Sequence, residues 1–218
     1  GGRLVFEVHP AGSLVPPFEG IKAVSDGVYQ ANFGYSAQWV GKIPVSPLFT
    51  ASPGGFNALG MQMWLNEGGG AELWQEVYDE AGFNVKILVA APIAMENLMW
   101  AKKPIRKIED FKGLKMRMMP LMGDVLQKHG MSVIFVPGGE IMPNLNRGVL
   151  DAAEYSIPAF DKTLGIWEIC KYVMLPGIHQ PGTQIELLVN KKAYAALPDD
   201  LKQALEAAVA KSRLDEWL

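Results

Sequence analysis

The chain is predicted to be α/β, with short parallel strands covered by helices, and three features of residues 113–156 predict it. Two apolar runs, 114–119 and 132–137, are too short for helices, and each is bounded by Gly or Pro, which marks them as strands. Between them Leu121, Met122, Val125 and Leu126 recur at helical spacing, and Lys128 and His129 precede Gly130, as at a helix C-terminus. A second helix, 140–147, then leads through Gly148 into a third short run, 152–156. Strands joined by crossover helices lie parallel, with the helices packed on the sheet.

The rest of the chain follows in order. Residues 4–9 alternate apolar and polar and read as a strand; Pro10, Ala11 and Gly12 then turn the chain, and Pro16 and Pro17 precede a helix over 18–25 that ends at Gly27. A strand over 28–34 leads into a Pro- and Gly-rich winding segment, 35–55, carrying Tyr35, Gln38, Trp39 and Phe49. Those side chains can wall a pocket or serve ordinary packing. Helices over 58–66 and 71–81 flank Gly68, Gly69 and Gly70. Glu72 fills the positive end of the second helix, and no phosphate-binding pattern surrounds the glycines, so they read as a turn. The long apolar run 85–93 is a strand, 107–112 a short helical turn, 157–169 a helix, and 172–175 and 184–190 strands. After Pro198 a final helix starts with Asp199 and Asp200 and buries a stripe of Leu201, Leu205, Ala208 and Val209.

Composition narrows the function. A chain of 218 residues, 49% hydrophobic, can bury one core or two lobes of about 100 residues each. Its 20 basic and 23 acidic residues form no basic cluster, which argues against nucleic acid as a partner. The single cysteine, Cys170, excludes an internal disulfide and a Cys-rich metal site, and reads as a small buried hydrophobe. No apolar run is long enough to span a membrane as a helix. No nucleophile elbow is present, and His9, His129 and His179 fit no zinc spacing. His129 reads as a helix-end cation and His179 as structural, although its Gly-Ile-His-Gln-Pro-Gly loop is a plausible functional position.

The informative charges are those set in apolar strands. Arg117 interrupts Leu-Lys-Met-Arg-Met-Met, and an unpaired guanidinium in a core is costly, so it requires an anion. Glu154 sits in the third run in an equally apolar neighbourhood. The two residues either pair with each other or their neighbours, or line a cleft at the strand ends where α/β sheets bind ligands. Glu96 and Asn97 likewise break the apolar run before Lys102 and Lys103 and are candidate ligand contacts.

Three stretches carry a resemblance: KKPIRKIEDFKGLKMRMMP, VPGGEIMPNLNRGVLDAAEYSIPAFD and LPGIHQPGTQIELLVNKKAYAALPDDLK, with RLVFEVHPAGSLVPPFEGIKAVSDG before them. Together they resemble the substrate-binding subunits of tripartite ATP-independent periplasmic (TRAP) transporters, the DctP family, nearly end to end. The resemblance implies a two-lobed periplasmic solute-binding fold with crossing hinge strands, lobe I being 1–92 plus 184–218 and lobe II 93–183. A strand and helix that open the family's fold have no counterpart here, and the final helical region looks cut short, so truncation at both ends is expected. The implied activity is non-enzymatic: capture of a small organic acid in the periplasm for delivery to a membrane permease. A homodimer through exchanged C-terminal helices is a further possibility the resemblance raises, although such a helix would have to continue past Leu218.

Residue by residue, the resemblance makes Arg117 the carboxylate clamp, a role suited to a guanidinium that gives two parallel hydrogen bonds. The AAEYS and HQPG patterns resemble the branch that binds 2-oxo or 2-hydroxy monocarboxylates with a metal cation. There Glu154, the carbonyl of Tyr155, Gln180 and the residue at Glu96 would hold the ion, sodium or calcium. Asn190, in the NKKA pattern, would hydrogen-bond near the hinge, while Tyr35, Gln38, Trp39 and Asn97 would line the rest. Relatives often carry Gln at position 96. With Glu there, Arg117, Glu154 and a ligand carboxylate leave a charge that a divalent calcium, or protonation of Glu96, neutralises. Three alternatives are a metal-dependent enzyme acting on oxo acids with Glu96, Glu154 and His179, a dicarboxylate binder, and a sensory ligand-binding module.

Overall fold

The structure is a computed structural model that describes residues 2–50 and 52–215. In chain order the helices and strands are α1 (Gly20–Asp26), β1 (Ala31–Gly34), α2 (Ala58–Glu67), α3 (Gly70–Glu80), β2 (Val85–Ile93), β3 (Met99–Ala101), β4 (Lys115–Arg117), α4 (Pro120–Lys128), β5 (Ser132–Ile134), α5 (Gly138–Asn146), β6 (Ala152–Ala153), α6 (Pro158–Leu164), α7 (Ile166–Ile169), β7 (Tyr172–Met174), β8 (Thr183–Asn190), α8 (Lys191–Ala195) and α9 (Asp199–Asp215). They fall into two compact units, one of Gly1–Phe49, Met61–Pro92 and Gln184–Leu218, the other of Thr50–Gly60 and Ile93–Thr183. The chain passes between them after Phe49, after Gly60, at the end of β2 and at the start of β8, so residues 50–60, expected in lobe I, fall with the second unit. Leu218, past which an exchanged helix would have to run, lies outside the described residues.

The first unit is built on a three-stranded sheet in the order β1-β8-β2, with β1 antiparallel to β8. Strand β2 is buried along nearly its whole length, which explains an apolar run broken only by the half-buried Lys86. Its core gathers Ile21 and Val24 of α1, Trp74 and Tyr78 of α3, Val85, Ile87 and Val89 of β2 and Leu188 of β8. Phe49 stacks on Trp74 with ring centroids 5.3 Å apart, and Trp74 meets Tyr78 edge-on at 6.3 Å. Such aromatic pairs add about 0.5–1.5 kcal/mol each beyond the area they bury.

Residues 4–9 do not form the expected strand. Their alternation supplies two faces, but among the described residues no strand pairs with them, and Val5 and Val8 remain largely exposed. Leu4 alone packs on the Leu88, Val189 and Leu205 cluster, while Arg3 and Asp200 bridge at 2.5 Å. Helix α8 is absent from the sequence expectations. Asn190 caps it, so a strand ending in Asn passes directly into a helix.

The second unit holds a five-stranded sheet in the order β5-β4-β6-β3-β7. Strand β4 runs parallel to both β5 and β6, as the crossover helices require, and β3 is antiparallel to β6 and β7. Strand β3, three residues long, is too short to register as a periodic signal. The helix expected over 157–169 is two: Gly165 adopts φ 78°, a left-handed cap that ends α6 and starts α7 on a new axis. Ile141 and Leu145 of α5 pack with Leu150, Ala153, Ile166 and Cys170 beneath the sheet. Burial there pushes the Cys170 thiol up to about 11, consistent with a small inert hydrophobe.

Candidate functional site

Parallel pairing of β4 with β6 sets two charged residues side by side. Arg117 is the last residue of β4 and Glu154 follows β6 immediately; the Glu154 amide donates to the Arg117 carbonyl at 3.1 Å, continuing the ladder by one rung. The Arg117 side chain, 1% exposed, donates through Nη1 to Glu154 Oε2 at 2.8 Å and to the Glu154 carbonyl at 2.7 Å, and through Nε to the Val136 carbonyl at 3.2 Å. Its guanidinium lies against the Phe135 ring at 5.0 Å and the Tyr155 ring at 5.9 Å. Of the two readings the spacing left open, pairing between Arg117 and Glu154 is what the structure shows. Tyr155 is held in turn by Gly138, where a Cβ would stand 2.4 Å from the tyrosine ring.

A loop from β7 to β8 brings in the remaining groups. The Glu96 amide donates to the Gln180 carbonyl at 3.3 Å, the Leu98 amide to the Met174 carbonyl at 2.9 Å, and the Gln180 amide back to the Gly177 carbonyl at 2.9 Å. Gln180 Nε2 donates to Glu96 Oε1 at 2.6 Å. His179 Nε2 stands 3.6 Å from Glu96 Oε2 and 3.9 Å from Glu154 Oε1. One ligand atom from each of Glu96, Glu154 and His179 falls within 4.8 Å of the others, and all three residues are buried.

Electrostatics here is dominated by burial. It raises the Glu96 carboxyl well above the usual carboxylate range, and the neighbouring Glu154 charge adds to the effect. Asp161, which the sequence reading missed, is a second buried acid whose carboxyl is pushed up to about 6, again chiefly by desolvation. It accepts from Trp100 Nε1 at 2.7 Å and from the Ser156 amide at 3.0 Å. Burial lowers the His179 imidazole, leaving it neutral at pH 7.

These residues fit a cation. Among the described residues, Glu96 Oε2, both ring nitrogens of His179 and Gln180 Oε1 are buried polar atoms with no hydrogen-bond partner. That is uncommon in a folded interior, where such atoms are normally paired. A set of carboxylate and amide oxygens is the donor chemistry that calcium and sodium take.

The other expected residues divide differently. Asn97, its amide oriented by its partners, donates to Asp161 Oδ2 at 2.9 Å and to the Ser156 carbonyl at 3.1 Å; its nitrogen holds Asp161 rather than facing a ligand. Asn190 does not fit a ligand role either. Its Oδ1 accepts from the Lys192 and Ala193 amides at 2.9 and 3.1 Å, capping α8, and its Nδ2 donates to the Val24 and Ser25 carbonyls of α1 at 2.8 and 3.2 Å, so both ends of the amide are engaged. Tyr35 opens, and Gln38 and Trp39 lie within, the single-turn helix Ser36–Trp39 of the first unit. Trp39 is a core residue whose Nε1 donates to Glu186 Oε1 at 2.5 Å. Phe135 and Asp161 are the site residues that sequence reading does not find: one looks like an ordinary strand aromatic, the other like an acid in the first turn of a helix.

The arrangement is that of an α/β protein whose second unit carries a buried guanidinium beside a set of buried oxygen and nitrogen donors. The chain belongs to the DctP family of bacterial extracellular solute-binding proteins, family 7, whose model matches residues 1–217. It is 35% identical over 213 residues to a monocarboxylate 2-oxoacid-binding periplasmic protein, all3028, of Nostoc sp., covering 98% of this chain and 58% of that protein. It is similar, with a TM-score of 0.93 and 32% identity, to a TRAP transporter solute-binding protein from Bordetella bronchiseptica RB50, a mixed-occupancy dimer with copurified calcium and picolinate in one active site; the match covers 98% of this chain and 63% of that one. A TRAP periplasmic solute-binding protein from Pseudoalteromonas atlantica T6c with bound sodium and pyruvate matches with a TM-score of 0.84 and 33% identity, over 90% of this chain and 59% of that one. The chain therefore spans about three fifths of the length of these relatives.

Proposed function

We propose that this chain is the solute-binding portion of a periplasmic TRAP receptor. It captures a small 2-oxo or 2-hydroxy monocarboxylate together with a cation, for handover to a membrane permease. The observation that carries this reading is the buried Arg117 set against Glu96, Glu154 and Gln180, with orphaned polar atoms on two of those three acidic and amide side chains. Arg117 supplies a buried positive charge for the ligand carboxylate, and Glu154 orients its guanidinium from the neighbouring strand. Glu96, Glu154, Gln180 and the carbonyl of Tyr155 are the groups that would hold the ion, which supplies positive charge for the oxo or hydroxy oxygen. The curated Nostoc relative and the pyruvate- and picolinate-bound neighbours support the substrate class.

Calcium is favoured over sodium. Glu96 beside Glu154 sets two carboxyl groups against the Arg117 guanidinium, and a divalent ion can take the place of the proton that burial favours on Glu96. Binding, not turnover, is the expected behaviour: pyruvate or lactate is recovered unchanged. A dimer, as in the Bordetella relative, is compatible with this reading.

A thermal-shift screen of pyruvate, lactate and succinate, each with calcium or sodium, tests it, because a ligand that binds the native state raises its melting temperature. A rise with pyruvate or lactate that requires a cation is expected. No rise with any monocarboxylate in either ion overturns the proposal.

A further inference from the structure

Resting on the cation-binding reading above, we infer that Asp161 is a positioning residue. Its buried carboxylate ties the chain beside Glu96 to the chain beyond Glu154, fixes the gap between the two acids, and so sets the size of ion that the site accepts.

Asp161 is 0% exposed, and its hydrogen-bond partners among the described residues are neutral donors rather than a cation. A buried carboxylate without a counter-charge is costly, and packing alone gives a fold little reason to keep one. The three donors come from two segments of chain. Ser156, two residues past Glu154, gives its amide to Oδ1 at 3.0 Å. Asn97, next to Glu96, gives its side-chain nitrogen to Oδ2 at 2.9 Å, and Trp100 gives Nε1 to the same oxygen at 2.7 Å. Asn97 also donates to the Ser156 carbonyl at 3.1 Å, which closes a ring of bonds between the segments.

That ring stands where the sheet stops. Strands β3 and β6 pair as Trp100 with Ala153 and Ala101 with Ala152, and the same antiparallel register carried onward sets Asn97 opposite Ser156. The pairing ends at Trp100, and past it the Asp161 and Asn97 side chains join the two segments in place of ladder bonds. Glu96 and Glu154 project from those segments, and a carboxylate oxygen of each lies within 4.8 Å of the other. Two oxygens bound to one calcium at about 2.3–2.6 Å stand no more than about 5 Å apart, so one calcium can bridge that gap. A gap held by a rigid frame discriminates ions by radius, whereas a loose one adjusts to either. Outer partners of carboxylate ligands act on the ion in this way, by orienting the groups that touch it.

The test compares calcium with barium, a larger ion of the same charge, so that loss of the Asp161 charge cancels in the ratio of affinities. Each ion is titrated calorimetrically, with pyruvate present, into the whole chain freed of metal by chelation. The unsubstituted protein should bind calcium about tenfold or more tighter than barium. Asp161→Asn places an amide nitrogen where Oδ2 accepted from Asn97 and Trp100, and should reduce that ratio about fivefold or more. Trp100 is already held opposite Ala153 by the ladder, so Trp100→Phe removes a bond to the same carboxylate without freeing the gap. That variant should lower the urea midpoint and leave the ratio unchanged. A ratio unaltered in Asp161→Asn, or one that falls as far in Trp100→Phe, overturns the positioning role while the cation site stands. No calcium binding by the unsubstituted protein overturns the underlying site as well. In the metal-free unsubstituted protein the Trp100 indole proton, followed by nuclear magnetic resonance, should already exchange slowly with solvent, because a frame that positions ligands exists before the ion arrives. Exchange that slows only when calcium is added overturns the inference, and this measurement needs no variant to fold.

Discussion

A Cβ on Gly177 would stand 2.1 Å from the Glu96 carbonyl oxygen. The loop that carries His179 and Gln180 is therefore seated directly on the backbone of Glu96, whose carboxylate Gln180 bonds, a contact that only glycine allows. Because the obstacle is backbone on both sides, no rotamer change relieves it. Gly177→Ala is expected to lift the loop off Glu96 and abolish cation-dependent thermal stabilisation, with the fold of the second unit otherwise retained by circular dichroism. Unchanged cation response in this variant would show that the loop does not set the site.

Breaking the ion pair between Arg117 and Glu154 should cost more than losing a surface pair, because both partners are almost fully buried. Removing one member of such a pair typically costs about 3–5 kcal/mol, most of it from the partner left unpaired. Arg117→Met should destabilise by that order in urea denaturation, and adding Glu154→Gln should recover part of the loss. Arg117→Lys keeps the charge but loses the fork, so it should retain stability better than it retains pyruvate binding.

Position 96 should set the ion preference. Glu96→Gln removes one carboxylate beside Glu154 and preserves an oxygen donor, so calcium affinity should fall about tenfold or more while sodium is less affected. Calorimetry with each salt in the presence of pyruvate checks this. A calcium preference that survives the substitution would place the charge selectivity elsewhere.

The first unit carries its own titrating group. Glu186 on β8 is fully buried, and desolvation pushes its carboxyl up to about 8, against the hydrogen bonds from Trp39 and Tyr78 that lower it. Tyr78 donates its hydroxyl to Glu186 Oε2 at 3.1 Å. A carboxyl whose folded value is raised binds a proton more tightly in the native state. Its stabilisation is present in full below the ordinary carboxylate range and is lost as pH rises toward 8. The unfolding free energy from urea titration should therefore fall between pH 5 and 9, by an amount on the order of 4 kcal/mol for this group alone. Glu186→Gln, uncharged throughout, should flatten that slope. An unchanged pH profile in the variant would mean that Glu186 is ionised in the folded protein.

Much of this architecture is legible in the chain because burial leaves a mark on composition. Strand β2 coincides with its apolar run, since both faces are covered. The parallel β4, β5 and β6 follow from crossover spacing. Residues 4–9 mislead because alternation describes two faces but says nothing of whether a partner strand exists. The break at Gly165 hides inside an otherwise helical pattern. At the site, Arg117 and Glu154 announce themselves as charges in apolar strands, and the fold brings Glu96 and Gln180 to them. Asp161 does not stand out, because an acid at a helix start is common on any surface, and only the contacts of Trp100 and Ser156 reveal it as buried. Asn190 shows the converse: its place in a familiar pattern suggests a ligand, while local hydrogen bonding gives it a capping role.

The rung that joins the Glu154 amide to the Arg117 carbonyl ties the anion anchor to the sheet, whereas His179 and Gln180 hang from a separate loop. On the proposed roles, the residue that meets the acid is fixed by the sheet while part of the donor set for the ion comes from a loop, so substitutions confined to that loop are expected to alter mineral dependence more than the grip on the nutrient.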